Sequence, residues 1–413
     1  MKLTLIRERS IIFAPVLLVL SMFFIPVSTS LKSIFLGLSV AAIILTPYFS
    51  KHILHACNTL WGRAALCFFI FILIACIWSP VSYSVQLVMI EKYCKLVFLP
   101  ILAVVFIHPK TRSWTINSYL ASMCVTCIIS ILKSKNIMMS GDPGEVFFNH
   151  IVTSFMMSFA SYLAGLFALQ YTGWRRTLYV ILFLLMSYQI LFVNTGRTGD
   201  IVYCILIGFL LLQKLTIKKA ILAIVIFGGL IALTYQESST LQERVSIFKN
   251  EIKALHHNNQ NTSLGYRIQF HHYAQSLWEV HPIIGIGTGA FKERFAQDNP
   301  VPSWGPELTD PHSQYWIILT EQGLTGMIFY LFFLASLVIT SLQLQETRPI
   351  LWGILISFGI GSFSDTIFCF STVGYLLIVI SALCFGELIE KQAFKLTSEP
   401  SRFKRDDVIT ASI

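Results

Sequence analysis

The stretch DPHSQYWIILTEQGLTG, residues 310–326, passes from charged and polar residues into an apolar run. It closes a longer segment that also contains SLGYRIQF at 263–270 and HPIIGIGTGAF at 281–291. These motifs are polar or glycine-rich, whereas 55% of the 413 residues are hydrophobic and only 12% are charged. We therefore expect the chemistry of this chain to be concentrated here, at the end of its one long hydrophilic stretch.

The composition is too apolar and too poor in charge for a soluble enzyme. Since a helix needs about 20 mostly apolar residues to cross a bilayer, runs of that kind predict an all-α, polytopic integral membrane protein with about twelve transmembrane helices. The predicted spans are 11–28, 31–49, 64–79, 85–107, 114–132, 150–170, 177–194, 198–213, 218–235, 313–342, 349–367 and 370–388.

Lysine and arginine are distributed unevenly between the loops. With a cytoplasmic N-terminus, the short external loops contain only Lys32, Lys133, Lys135 and Arg197, which agrees with the positive-inside rule. The predicted organisation is helices 1–9 in 1–235, an external loop with two helices in 236–311, helices 10–12 in 312–390 and a basic cytoplasmic tail in 391–413. The net charge of +9 then reflects topology, so membrane lipids and not nucleic acid are the expected partners.

All nine cysteines fall in or beside predicted spans. Disulfides and a thiolate metal site are therefore not expected. The N-terminal apolar run has no clear small-residue cleavage pattern and a second span follows it, so we interpret it as an uncleaved first helix.

The long external segment predicts two helices. Apolar residues recur with helical spacing from Leu241 to Leu255, and Ser263 is placed to cap a second helix. Arg267 lies in the first turn of that helix, where free backbone N–H groups and a guanidinium would together favour an anion. The alternative from the residues alone is an ion pair with Glu243 or Glu279.

The two following motifs combine glycines with ionisable groups. Gly285, Gly287 and Gly289 suit a tight turn against a membrane face or a phosphate, and no βαβ unit surrounds them to support a dinucleotide site. His312 lies at the outer membrane boundary, where it could accept a proton at neutral pH or serve as a helix cap. Asp310 would orient His312 or cap the helix, and Glu321, inside an apolar span, must face a polar interior.

Other polar groups face the same compartment. Arg197 in the turn LFVNTGRTGD would bind an anionic ligand or pair with Asp200. Lys95 would pair with Glu91, four residues earlier, as a self-satisfied ion pair. His150 opens the sixth span, and no metal-ligand spacing of His, Asp or Glu is present in the sequence.

The order SLGYR, HPIIGIGTGAF, DPHSQYWIILTEQGLTG, with the upstream TGR turn at 195–197, resembles the core signature of the O-antigen ligase and Wzy-type polymerase superfamily. The resemblance implies a GT-C-type glycosyltransferase of the bacterial inner membrane that acts on the periplasmic side. Such ligases take part in lipopolysaccharide biosynthesis, transferring a glycan from undecaprenyl diphosphate to the lipid A core without a metal or other cofactor.

The same resemblance implies roles for individual residues. Arg197 and Arg267 would hold the diphosphate, His312 would be the base, and Glu321 would have a supporting role at the family's acidic position. Lys95 and His150 are further candidates for substrate binding. A histidine beside two arginines is expected to have a lowered pKa, and Ser313 stands where many members have asparagine.

Three functions are compatible with these features. The first is an O-antigen ligase, and the second is a sister enzyme, either an O-antigen polymerase or a protein O-oligosaccharyltransferase. A transporter or flippase of lipid-linked glycans is the third, and it would be expected to have broken helices in two related halves.

Overall fold

The computed structural model describes residues 2–138 and 140–398, and these residues form α-helices joined by short turns, with no β-strand among them. The predicted tail residues Arg402, Lys404 and Arg405 lie outside the described residues. The helices are α1 Lys2–Phe24, α2 Thr29–Leu45, α3 Pro47–Asn58, α4 Leu60–Ile74, α5 Tyr83–Tyr93, α6 Lys95–Ala103, α7 Pro109–Ser134, α8 His150–Gln170, α9 Gly173–Tyr188, α10 Arg197–Lys214, α11 Ile217–Glu237, α12 Ser239–His256, α13 Ser263–Val280, α14 Ala290–Asp298, α15 Gln314–Ser341, α16 Arg348–Ser364 and α17 Ser371–Ser398.

The all-α class is confirmed for the described residues. Six of the described helices are long and apolar enough to cross a bilayer, and the pair α2 and α3, bent by 97°, would make a seventh. Other predicted spans correspond to shorter helices, such as α4 and α16, so the number twelve stays a prediction. The predicted span 85–107 is divided at Cys94 into α5 and α6, and α3 was not expected.

The core of the bundle is formed by α8 and α17. Every residue from Val152 to Ala168 of α8 is buried. Helices α9, α10 and α16 pack around α8, while α4 packs against α15 on the other side of the molecule. Helix α11, in contrast, exposes almost its whole apolar surface, as expected for a helix that faces lipid.

Three helices, α12 to α14, lie between α11 and α15. The side chain of Thr262, not the predicted Ser263, accepts the capping hydrogen bond at the start of α13, from Gly265 N–H at 3.1 Å. The short helix α14, which the sequence did not predict, begins directly after the glycine-rich turn.

Helix α15 is interrupted at Gly323, which has φ 65° and ψ −165°. The turn 281–291 packs against this interruption, and its backbone both donates hydrogen bonds to α15 and accepts them from α15. Ile286 and Gly287 donate to the carbonyls of Thr320 and Glu321, both at 2.9 Å, whereas Leu324 donates to Pro282 at 2.8 Å. The exchange satisfies the backbone groups that the interruption exposes, and it ties the turn to the region just after His312.

Candidate functional site

Arg197 is the first residue of α10, and the TGRTG turn packs closely against the start of α8. A Cβ on Gly196 would lie 2.8 Å from the carbonyl oxygen of His150, and one on Gly199 would lie 2.3 Å from Cβ of Ser154. Both glycines are therefore required by the close approach of the two helices. Because the turn is rigid, the position of the arginine is set by the contact with α8.

The guanidinium of Arg197 pairs with Glu251 of α12 through two contacts, Nη1 to Oε2 at 2.6 Å and Nη2 to Oε1 at 3.2 Å. The predicted alternative, a salt bridge from Arg197 to Asp200, is wrong because Asp200 instead accepts from Arg244 at 2.5 Å. Two ion pairs therefore fasten α12 to the start of α10. The side chain of Arg197 is still 32% exposed, which leaves part of its surface open.

Arg267 has no carboxylate within salt-bridge distance among the described residues, so the predicted alternative of a pair with Glu243 or Glu279 is not found. Its Nη1 donates to Ser263 Oγ at 2.9 Å, and its buried Nε has no hydrogen-bond partner. Burial lowers the pKa of Arg267, and the positive charge of Arg197 acts in the same direction. An anionic ligand would supply the missing partner.

His312 has a left-handed backbone, with φ 50°, which is uncommon for a residue with a side chain. Asp310 stabilises it, since Oδ1 accepts the His312 N–H at 3.1 Å and also the hydroxyl of Thr366 at 2.6 Å. The imidazole stacks on Phe270 with ring centroids 5.8 Å apart. Helix α15 is capped by Ser313, whose hydroxyl accepts from Trp316 N–H, so neither Asp310 nor His312 is the cap.

The imidazole of His312 is oriented by a second carboxylate. Nδ1 lies 3.4 Å from Oδ1 of Asp365, which is 1% exposed, and His312 itself is 28% exposed. A carboxylate partner favours the tautomer in which Nδ1 carries the proton and Nε2 is the basic nitrogen. Burial lowers the pKa of His312, but the hydrogen bond and charge of Asp365 raise it by more. The predicted lowered pKa is therefore wrong, because Asp365 outweighs the neighbouring arginine.

The TGR turn and the His312–Asp365 pair meet at the same end of the bundle. Thr198 Oγ1 lies 3.1 Å from the hydroxyl of Ser364, the residue before Asp365. Arg267 is within electrostatic range of both Asp365 and Arg197. Two arginines and one histidine, from separate parts of the sequence, therefore surround one region.

The other predicted binding residues, Lys95, Glu321 and His150, each have polar partners within the protein. Lys95 is buried, and its Nζ donates to the carbonyls of Phe368 at 2.5 Å and Phe370 at 3.3 Å. The predicted Glu91–Lys95 ion pair is therefore wrong. Glu321 is 1% exposed and accepts from the N–H of Phe291 at 3.3 Å, which holds the start of α14.

His150 lies near the TGR turn. Its Nδ1 is 3.5 Å from Asp142 and 3.3 Å from Glu145. Asp142 also accepts a hydrogen bond from Thr195 at 2.8 Å. His150 therefore supports the turn that carries Arg197.

Folding brings together acidic and histidine side chains that the sequence keeps apart. In two groups, Asp142 with Glu145 and His150, and Asp310 with His312 and Asp365, the potential ligand atoms lie within 4.8 Å of one another. In the second group, hydrogen bonds already occupy Oδ1 of Asp310. Metal independence stays a prediction, and activity in the presence of a chelator would test it.

Sequence analysis did not identify Asp365, Glu251 or Arg244. Asp365 is a single carboxylate inside the predicted span 349–367, and an acid within an apolar span is a signal that the sequence offers. Arg244 and Glu251 are seven residues apart, which places them on one face of α12. That face is buried, whereas the apolar residue Phe248 is 45% exposed.

Residues 181–331 match the model of the family described as O-antigen ligase. The matched range includes Arg197, Arg267, His312 and Glu321. The match confirms the resemblance to the O-antigen ligase superfamily, whose members are enzymes of the ligase or glycosyltransferase type. No curated protein matches the chain.

Proposed function

We propose that the protein is an O-antigen ligase, which transfers a glycan from undecaprenyl diphosphate to the lipid A core at the periplasmic face of the bacterial inner membrane. The observation that carries the proposal is the convergence of Arg197, Arg267 and His312, which all lie in the matched range, with Asp365, which lies beyond it. A topology with both termini in the cytoplasm is part of the same proposal.

The reaction is a direct displacement at the anomeric carbon. The bond from this carbon to the diphosphate oxygen breaks as the bond to the acceptor oxygen forms, and the configuration inverts. The departing diphosphate gains negative charge, which preorganised guanidinium groups stabilise. Arg267 is the principal contact because its Nε has no partner, whereas the fork of Arg197 is oriented by Glu251.

The acceptor hydroxyl loses its proton to Nε2 of His312. Asp365 holds the opposite ring nitrogen and stabilises the imidazolium that forms, as expected for a base oriented by a carboxylate. Lys95, Glu321 and His150 act as positioning residues. They hold the 366–370 turn, the glycine-rich turn and the TGR turn, respectively.

Deletion of the gene, followed by gel analysis of the surface lipopolysaccharide, tests the proposed reaction. A ligase deletion is expected to remove the capped chains and to accumulate lipid-linked polymer. Capping reduced to a single repeat would instead indicate the polymerase. Unchanged lipopolysaccharide would refute both and direct attention to protein glycosylation or glycan transport.

A further inference from the structure

A groove lies between α5 and α14, outside the region of the two arginines. It has a volume of about 390 Å³. The lining residues follow helical spacing on both elements, so each helix presents one face to the groove. They are Val85, Val88, Met89 and Lys92 on one side and Gly289, Lys292, Glu293 and Ala296 on the other, with Thr309 and Glu321 at the α15 end.

Two lysines, Lys92 and Lys292, line this groove together with two acids, Glu293 and Glu321. Neither Lys92 nor Lys292 has a carboxylate within salt-bridge distance among the described residues. The deeper acid, Glu321, is buried and accepts from the start of α14, while Glu293 lies on the same helix as Lys292. Both ammonium groups are therefore available to an anion that enters the groove.

The rest of the lining is apolar and partly open. Val88 is 55% exposed and its neighbour Leu87 is 43% exposed, whereas Met89 is buried at 6%. An apolar wall that ends in lysine fits an amphipathic ligand, which places an acyl chain on the wall and an anionic headgroup at the cations. A small hydrophilic anion would make no contact with these apolar side chains.

The lining of the groove is connected to the proposed base by hydrogen bonds. Thr309 lines it and donates to Oδ2 of Asp310 at 3.1 Å, and the other oxygen of Asp310 accepts from the His312 N–H. Arg197 and Glu251 belong to α10 and α12, which do not line the groove. The groove and the two arginines therefore both adjoin the segment of His312, and they do so through different helices.

We propose that the α5–α14 groove binds the acceptor, a phosphorylated glycolipid whose phosphate contacts Lys92 and Lys292 and whose acyl chain lies along Val85 and Val88. The inference rests on the proposed function, because direct displacement requires donor and acceptor to be bound together, on opposite sides of the reacting carbon. The proposed function assigns the diphosphate to the arginines, so the second lipid is assigned to the groove.

A double substitution, Lys92→Ala with Lys292→Ala, tests the assignment in a purified transfer assay. The acceptor KM is expected to rise about tenfold, since two charge-assisted contacts are lost, while the donor KM and kcat stay within about twofold. Lys249→Ala is the matched control, because it removes an exposed lysine of α12, away from the groove. A rise in the donor KM, or no change in either KM, would overturn the proposal.

A binding measurement that needs no turnover separates this inference from the function it rests on. His312→Ala protein, with and without the two lysine substitutions, is titrated with phosphatidylcholine vesicles that contain either lipid A core or phosphatidylglycerol. The two lysine substitutions are expected to weaken binding to the vesicles with lipid A core and to leave binding to the phosphatidylglycerol vesicles unchanged. An equal loss of binding for both kinds of vesicle would show that the lysines attract any anionic lipid. No loss of binding for either would refute the assignment of the groove to the acceptor. If the groove binds lipid A but the unmodified enzyme transfers no glycan, the proposed function fails and the binding site stands.

Discussion

Gly285 lies where the glycine-rich turn passes the interruption in α15, and Gly285→Ala tests that junction. The residue has φ +69°, and a Cβ there would lie 2.4 Å from the carbonyl carbon and 2.5 Å from the carbonyl oxygen of Glu321. It would also lie 2.6 Å from the backbone nitrogen of Gln322. These are backbone atoms, so no side-chain rotation can relieve the contact.

The cost has two parts. A left-handed backbone costs alanine about 1–2 kcal/mol relative to glycine. Forced close contact in a packed region adds about 1–3 kcal/mol. The free energy of unfolding should therefore fall by about 2–5 kcal/mol, which for a chain of this length corresponds to a melting temperature lower by roughly 2–6 °C.

Two other glycines separate these contributions. Gly305 has φ +96°, but a Cβ added there would meet no heavy atom within 4 Å, so Gly305→Ala should show only the backbone strain. Gly229, in the exposed helix α11, has neither feature, and Gly229→Ala should not lower the melting temperature, since alanine favours a helix interior more than glycine does. The assay is thermal unfolding in detergent, followed by tryptophan fluorescence. If Gly285→Ala melts within a degree of Gly305→Ala, the turn does not pack into the break.

Three further predictions concern the charged groups. Asp365→Asn removes the charge that raises the pKa of His312, so the acidic limb of the profile of kcat/KM against pH should move to lower pH. The maximal rate should also fall by at least about tenfold. An acidic limb at the same pH in both proteins would show that Asp365 does not act through His312. Arg267→Ala should weaken donor binding by about tenfold to a hundredfold. Arg267→Lys should keep part of the affinity, because lysine retains the charge but cannot bind bidentately. Donor affinity equal to that of the unmodified protein in both variants would exclude a diphosphate contact. Glu251→Gln should lower the free energy of unfolding by about 1–2 kcal/mol, a modest amount because Arg197 is partly exposed. Glu243→Gln, on the solvent side of the same helix, is the control and should have no effect. Equal melting temperatures of the two variants would show that the Arg197–Glu251 ion pair contributes nothing to stability.

Local patterns in the sequence predict the helices well. Apolar runs and their spacing identify most of the helices, since those signals depend on residues a few positions apart. The amphipathic stripe of α12 shows the limit of this approach. It locates the helix, but the buried side carries Arg244 and Glu251, because ion pairs with α10 form only after folding.

In the candidate site, too, residues within short motifs are predictable from the sequence and long-range contacts are not. Arg197, Arg267 and His312 are found from motifs that each occupy a few residues. Asp365 acts on a histidine 53 positions away in the chain, and the sequence alone gives no sign of that pairing. The change in the expected pKa of His312 follows directly from this one long-range contact.

The central claim is that His312 is the base of a transfer reaction whose donor is held by the arginines. The most direct measurement compares His312→Ala with the unmodified protein for both glycan transfer to lipid A core and binding of the lipid-linked donor, with His272→Ala on the exposed side of α13 as the control. The expected result is a rate lower by about 10²–10⁴-fold for His312→Ala, with donor affinity within about twofold and an active control. Transfer at the unmodified rate, or loss of donor binding together with transfer, would contradict the assignment.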